Sequence, residues 1–187
     1  DVELIEIAPA ERHQVGPFEA EFIRVNHSIP DCVAVALRSA AGTVLHTGDF
    51  KFDHAPIDNE PTDVAALSRL GDEGVLLLMS DSTNAEVPGS VAPERSVGVE
   101  LRRQFASAPG RVILTAFSSH IHRIQQVLDA AHHDGRFVAL VGRSLLRNFN
   151  IATGLGIVTV PDGVLINIKS IDEHQDDELV IVTTGSQ

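Results

Sequence analysis

The stretch VLHTGDFKFDH, Val44 to His54, runs an apolar segment straight into a Thr-Gly-Asp corner, with a second carboxylate and an imidazole close behind. Two chemistries fit a carboxylate there. Gly and Asp are common turn formers, so Asp49 can simply close a turn. It can also be a metal ligand, held at the end of a rigid strand and facing a cleft. His27 raises the same question: it ends the stretch FIRVN and precedes Ser28-Ile29-Pro30. The chain leaves a sheet at His27 and returns to an edge at Asp49, and strand ends of a β-sandwich can bring the two together. An imidazole and a carboxylate, joined by further ligands, suit zinc or manganese hydrolases. A carboxylate can bridge two metals about 3.5–4 Å apart and so hold a nucleophilic hydroxide. Two ligands do not make a site, so spacing alone leaves both readings open.

A second set of polar residues follows apolar runs. After VLLLM comes Ser80-Asp81-Ser82-Thr83-Asn84, and after VILTA comes Phe117-Ser118-Ser119-His120-Ile121-His122-Arg123. After FVALV comes Gly142-Arg143-Ser144, and after LVIVTT comes Gly185-Ser186-Gln187. Open parallel sheets bind ligands beyond the carboxyl ends of their strands. Gly/Ser turns and helix N-termini can cradle phosphate, and the same residues cap helices anywhere. His120 and His122 are two apart at a helix start and point in different directions, so they are no metal pair by helical spacing. His122-Arg123 can offer donors to a phosphate. His132-His133 reads as a solvated pair at a helix end. His13, His46 and His174 have no supporting neighbours, and His174 lies in the acidic stretch IDEHQDDE, read as solvated.

The elements that must position these groups fall into two regions. Val2–Ile7 reads as a strand, and Phe18-Glu-Ala-Glu-Phe22 alternates as a half-buried strand does. Cys32–Leu37 and Thr43–Leu45 flank Ala40-Ala41-Gly42 as a hairpin. Lys51–Thr62, polar with two prolines, reads as a linker or active-site loop. Val75–Met79, Val112–Ala116, Phe137–Val141 and Leu179–Thr184 are continuous apolar runs that suit strands buried on both faces of a parallel sheet. Between them lie helical patterns. One has Pro93 in its first turn and Val97, Leu101 and Phe105 on one face. A second is capped by Ser118 or Ser119, carries Ile121, Ile124, Leu128 and Ala131, and stops at Asp134-Gly135. A third opens at Ser144. The expected organisation is a β-rich, incomplete region over residues 1–60 and a mostly parallel α/β unit over 64–187.

The chain has 187 residues, enough for one good core or one domain with part of another. Its 26 acids against 14 bases give a net charge of −12. That disfavours a generic polyanion binder, so any nucleic-acid contact needs a local patch or bound cations. The single cysteine excludes an intrachain disulfide and a Cys-rich zinc site. Cys32, in the run CVAVAL, reads as core packing. No apolar run approaches the ~20 residues of a membrane span, and no signal-peptide pattern is visible. The chain starts at Asp1 and reads as a piece beginning inside a domain.

The segments FIRVNHSIPD, HTGDFKFD, SDSTNAEVPG, FSSHIHRIQQ, VGRSLLRN and IVTTGSQ, in this order, resemble bacterial ribonuclease J, a family of metallo-β-lactamase-fold nucleases of the β-CASP group. The likeness covers nearly the whole chain. It implies an α/β fold, with part of a metallo-β-lactamase β-sandwich followed by a β-CASP domain. It also implies roles. His27 corresponds to the histidine of the third metallo-β-lactamase motif and Asp49 to the metal-bridging aspartate of the fourth. Asp81 corresponds to the acidic residue of β-CASP motif A, which supports the ligands from behind. Ser82, Asn84, His122, Arg123, Ser186 and Gln187 are carried over as RNA phosphate contacts. The implied cofactor is zinc, two ions in the complete enzyme, with manganese or magnesium as alternatives. The implied activity is 5′-to-3′ RNA degradation from a 5′-monophosphate end, with internal cleavage, in cytoplasmic RNA decay and rRNA processing. A homodimer or tetramer is implied, and no membrane.

The family's HxHxDH motif, its later histidine motifs and its C-terminal domain are expected outside these residues. A chain with two of the metal ligands is therefore expected to bind zinc poorly and not to cleave RNA. Two other readings stand beside this one. One is a non-catalytic RNA-binding β-CASP module. The other is a nucleotide-binding α/β domain, which neither GxGxxG nor GxxxxGKS supports here.

Overall fold

The computed structural model describes residues 3–185. The chain divides into two compact units. One runs from the N-terminal end to His27 and from Asp31 to Ala92; the other takes Ser28–Pro30 and continues from Pro93.

The first unit is built on a five-stranded sheet in the order β1-β2-β3-β4-β5. β1 (Arg12–Val15), β2 (Phe18–Arg24), β3 (Val33–Ser39) and β4 (Gly42–His46) form an antiparallel meander. Ala40-Ala41 makes the expected tight turn between Ser39 and Gly42. β5 (Leu77–Met79) joins β4 in parallel. By this pairing β2, β4 and β5 all run the same way, so their carboxyl ends lie at one end of the sheet.

Helix α1 (Val64–Glu73) lies between β4 and β5 in sequence, and its first turn is capped by Asp63, whose side chain accepts from the Ala66 amide at 2.9 Å. Leu70 of α1 joins Ile23, Val25, Ala34, Ala36 and Leu45 in the core of this unit, with Cys32 packed against it as expected. The same face of β2 carries Glu21, only 3% exposed. Its charge is met by Arg38 Nη2 at 2.6 Å, Arg12 Nη2 at 3.3 Å and Arg69 of α1.

Several expectations are corrected in this unit. Residues 3–7 form no strand and lie exposed, Leu4 at 91%; they have no ladder partner among the described residues, and Val2 lies outside those residues. In β2 the acidic side is no solvent face, because Glu21 turns inward beneath three guanidinium groups. The run Val75–Met79 does not start the parallel sheet of the second unit. Its strand is an edge of the first sheet, with Leu78 57% exposed. Uninterrupted apolarity cannot separate an edge strand from a doubly buried one. The division consequently falls at Ala92–Pro93, later than the 60/64 boundary read from the sequence.

The second unit alternates helix and strand: α2 (Arg95–Ser107), β6 (Val112–Thr115), α3 (Ile121–His133), β7 (Phe137–Val141), α4 (Arg143–Gly154), β8 (Leu165–Ile166) and β9 (Leu179–Thr183). The sheet is wholly parallel, in the order β6-β9-β7-β8. Val138, Leu140, Val180 and Val182 pack with the apolar stripes of α2, α3 and α4 into a single core. The stripes are those read from the sequence: Leu101 and Phe105, then Ile121, Ile124, Leu128 and Ala131, then Leu145, Phe149 and Ala152. Gly98 lets α2 approach α3 closely, since a Cβ there would sit 2.7 Å from the Gln126 side-chain oxygen. The buried Arg136 donates to the carbonyls of Phe105 (2.8 Å), Ala108 (2.6 Å) and Gly110 (3.1 Å). It thereby satisfies the carboxyl end of α2, where a cation is favoured.

Two local expectations change. Neither Ser118 nor Ser119 caps α3, whose N-cap is His120 without a side-chain bond. His174 is not simply solvated, because its ring lies 4.2 Å from that of Phe137, between two short 3-10 turns.

Candidate functional site

Three strand ends of the first unit carry the chemistry. His27 follows β2, Asp49 follows β4 and Asp81 follows β5, all at the same end of the sheet. An antiparallel bridge pairs Asn26 with Lys51, and the Lys51 amide donates to the Asn26 carbonyl at 2.8 Å. The segments bearing His27 and Asp49 therefore run side by side. The turn between His46 and Asp49 depends on Gly48, at φ +62°, where a Cβ would meet the Val33 carbonyl oxygen at 3.2 Å. His46 Nδ1 accepts from the Gly48 amide at 3.0 Å. His46 thus has a structural task at this corner.

Asp81 ties two of these strand ends together. Its Oδ1 accepts from the Thr83 amide at 2.8 Å, and its Oδ2 from the Phe50 amide at 3.4 Å. Its own amide donates to Thr47 Oγ1 at 3.0 Å, and the Thr47 amide donates to the Met79 carbonyl at 3.0 Å. Hydrogen bonds from the Thr83 amide and hydroxyl, then the Phe50 amide and the nearby His27, hold the Asp81 carboxyl below its ordinary value against a burial effect. Its carboxylate oxygens are engaged with backbone amides, which makes Asp81 an organiser of the corner at Asp49. Burial, then Asp49 and Asp31, push the Cys32 thiol up, so Cys32 stays a protonated packing group.

Sequence reading missed the clamp behind His27. The Asn26 carboxamide accepts from the Thr62 amide at 2.9 Å and donates to the Glu60 carbonyl at 2.7 Å. Its backbone amide donates to Thr62 Oγ1 at 3.2 Å. The Lys51–Thr62 loop is thus pinned to the end of β2. Ser82 and Asn84 are exposed on the turn after Asp81, with Asn84 at φ +60°.

Among the described residues no group of three or more His, Cys, Asp or Glu side chains stands close enough to hold a metal ion. His27 supplies an imidazole and Asp49 an exposed carboxylate. A zinc centre takes about three or four protein donors. The donors on this chain do not fit a complete metal centre by themselves.

The second unit has its own cleft, of about 570 Å³, at the carboxyl edge of its sheet. Thr115 and Ser118 follow β6, Thr184 follows β9, and Ser144 opens α4. A parallel sheet places ligand-binding loops at this edge. Gly142, at φ +123°, lets the β7–α4 turn approach Thr184, whose Oγ1 would lie 3.3 Å from a Cβ there. Asn148 of α4 donates to the Ser118 carbonyl at 2.9 Å and fixes the two rims together.

Arg123 lines this cleft, but its guanidinium is already engaged. Nε and Nη2 donate to the two Glu94 oxygens at 2.6 and 3.0 Å. Gln126 donates to Glu94 Oε1 at 3.0 Å, and His120 Nε2 lies 3.6 Å from Oε2. Much of the charge of Arg123 is therefore neutralised within the protein. Glu94 could not be found by spacing, since it lies 29 residues from Arg123. His122 is half-buried in the first turn of α3 and is not among the lining residues. Ser186 and Gln187 lie outside the described residues.

Residues 109–187 match the family described as the ribonuclease J β-CASP domain. Ribonuclease J of Mycolicibacterium smegmatis is 48% identical over 183 residues, which cover 98% of this chain and 33% of that protein. Ribonuclease J of Thermus thermophilus is 47% identical over 187 residues, 98% of this chain and 32% of that protein. Ribonuclease J of Helicobacter pylori strain 26695 is 43% identical over 173 residues, 92% and 25% respectively. The crystal structure of a protein of unknown function from Enterococcus faecalis V583 shares the fold, with a TM-score of 0.67 over 99% of this chain and 45% of that chain at 15% identity. The chain thus spans about a third or less of the length of these curated relatives. Residues 109–187 belong to the ribonuclease J β-CASP domain, and almost the whole chain is homologous to a segment of ribonuclease J.

Proposed function

We propose that this chain is part of a ribonuclease that hydrolyses RNA phosphodiester bonds. The observation that carries the reading is the 47–48% identity to proteins named Ribonuclease J along 98% of the chain. The gathering of His27, Asp49 and Asp81 at one sheet end supports it. The finer activity follows the family: 5′-to-3′ degradation from a 5′-monophosphate end with internal cleavage, in cytoplasmic RNA decay and rRNA processing, by a homodimer or tetramer.

His27 and Asp49 are proposed to contribute an imidazole and a carboxylate to a zinc centre, or one of manganese or magnesium, completed by residues outside this chain. Such a centre, when bound, supplies an activated water and offsets phosphoryl charge. The chain's own residues set the frame. Gly48 turns the backbone so that Asp49 leaves the sheet end, Asp81 holds that corner through the Phe50 amide, and Asn26 fixes the strand that delivers His27. For phosphate, Ser82 and Asn84 offer a hydroxyl and a carboxamide. His122, Arg123, Ser186 and Gln187 are the corresponding candidates in the second unit, Arg123 through whatever donor edge Glu94 leaves open.

The incomplete donor set of these residues favours a non-catalytic, RNA-binding behaviour for the chain taken alone. The test is made in the longest natural form of the protein. Asp49→Asn there abolishes RNA cleavage while circular dichroism and thermal unfolding stay close to the parent. Retained cleavage in that variant removes the assignment.

A further inference from the structure

α4 carries a cationic strip in a chain that is otherwise short of positive charge. Acids outnumber bases 26 to 14, and most surface arginines are paired. Arg12, Arg24, Arg38, Arg69, Arg103 and Arg111 each meet a carboxylate. Arg143 and Arg147 differ. Both are exposed, and among the described residues neither has an ion pair or hydrogen bond to a carboxylate. They stand at i and i+4, on one helix face and about 6 Å apart along the axis.

The strip begins at the cleft. Arg143 is the first residue of α4, and the next, Ser144, lines the cleft. On the facing rim stands Phe117, 60% exposed and also lining the cleft. An aromatic ring left in water beside a polar cleft has no packing role that accounts for it. An exposed aromatic face with cations beyond it is the pairing that receives single-stranded nucleic acid: bases stack on the ring while the backbone follows the charge. Glu94 already engages Arg123, so the unneutralised charge beside this cleft is that of α4.

We infer that the cleft receives single-stranded RNA, with a base stacked on Phe117 and the following phosphates on Arg143 and Arg147. This rests on the ribonuclease reading and specifies the form of its substrate, because a base must be unpaired and unstacked from its neighbour to use the ring.

The two contacts leave different signatures. Binding of a short single-stranded oligoadenylate to the 187-residue chain is measured across a salt titration with EDTA present. In R143Q/R147Q the slope of log K against log salt falls by about 1.4, from ~0.7 for each lost phosphate contact. R143K/R147K restores that slope. In Phe117→Ala the affinity falls about tenfold with the slope unchanged. Circular dichroism establishes that each variant is folded, which exposed positions allow. Unchanged slope in the glutamine variant together with unchanged affinity in the alanine variant overturns the inference. So does binding of duplex RNA as tight as that of the single strand, or failure of the parent chain to bind the oligonucleotide. Cleavage by the longest natural form, assayed separately, decides the ribonuclease reading whichever result is obtained here.

Discussion

Asn26 is the residue on which the delivery of His27 depends. Its carboxamide and its backbone amide are buried and meet Glu60 and Thr62, partners up to 36 residues away. Asn26→Ala removes the carboxamide and leaves the Thr62 amide and the Glu60 carbonyl unsatisfied in a buried setting. The expected cost is about 1–3 kcal/mol. Urea unfolding measures it, and cleavage by a protease within residues 51–62 rises in parallel. No linear pattern announces such a clamp, because an asparagine after a strand is ordinary turn chemistry until its distant partners are known. Asp49 and Asp81 were legible for the opposite reason: a carboxylate directly after an apolar run is a local signal. Arg123 was legible as a cation, but not as one held by Glu94, since that bond joins the approach to α2 with the first turn of α3.

At the scale of elements, α1 and β2 are joined through Glu21. Burial raises its pKa, yet hydrogen bonds from Arg69 and Arg38 and the charges of Arg38 and Arg12 outweigh that and hold it below the ordinary 4.5. A carboxyl depressed in the folded state stabilises the fold fully above its unfolded value and loses that contribution as pH falls through the folded one. Stability of the parent is therefore expected to decline as pH drops below about 4.5. Glu21→Gln is less stable at neutral pH, with three guanidinium groups left around a neutral amide, and its acid decline is shallower; denaturant unfolding across pH measures both. The alternation FEAEF revealed a strand but not which face is covered. That is decided by α1, which the sequence reading passed over although Asp63 and the Ala66, Leu67, Leu70 spacing mark it. β5 was read as buried because apolar runs look alike at an edge and in a centre. The helices of the second unit were legible, since each presents one apolar stripe to one sheet.

At the scale of the whole molecule there are two cores and no shared one among the described residues. One is built around Ile23, Ala36 and Leu70, the other around Phe105, Leu128 and Val180. Phe105→Ala is expected to cost about 3–5 kcal/mol. Hydrogen exchange reads it as lost protection in α2, α3 and β7, with the amides of β2 and β3 unchanged. The parallel sheet has a further consequence in time. β9 is the last strand in sequence, yet it stands between β6 and β7 and pairs with both. While the polypeptide is being made, those two strands have no lateral partner until Leu179–Thr183 leaves the ribosome. The helices can form early, but the layer they rest on closes only with the final residues of this unit. Its nascent state is accordingly long-lived and dependent on non-local pairing.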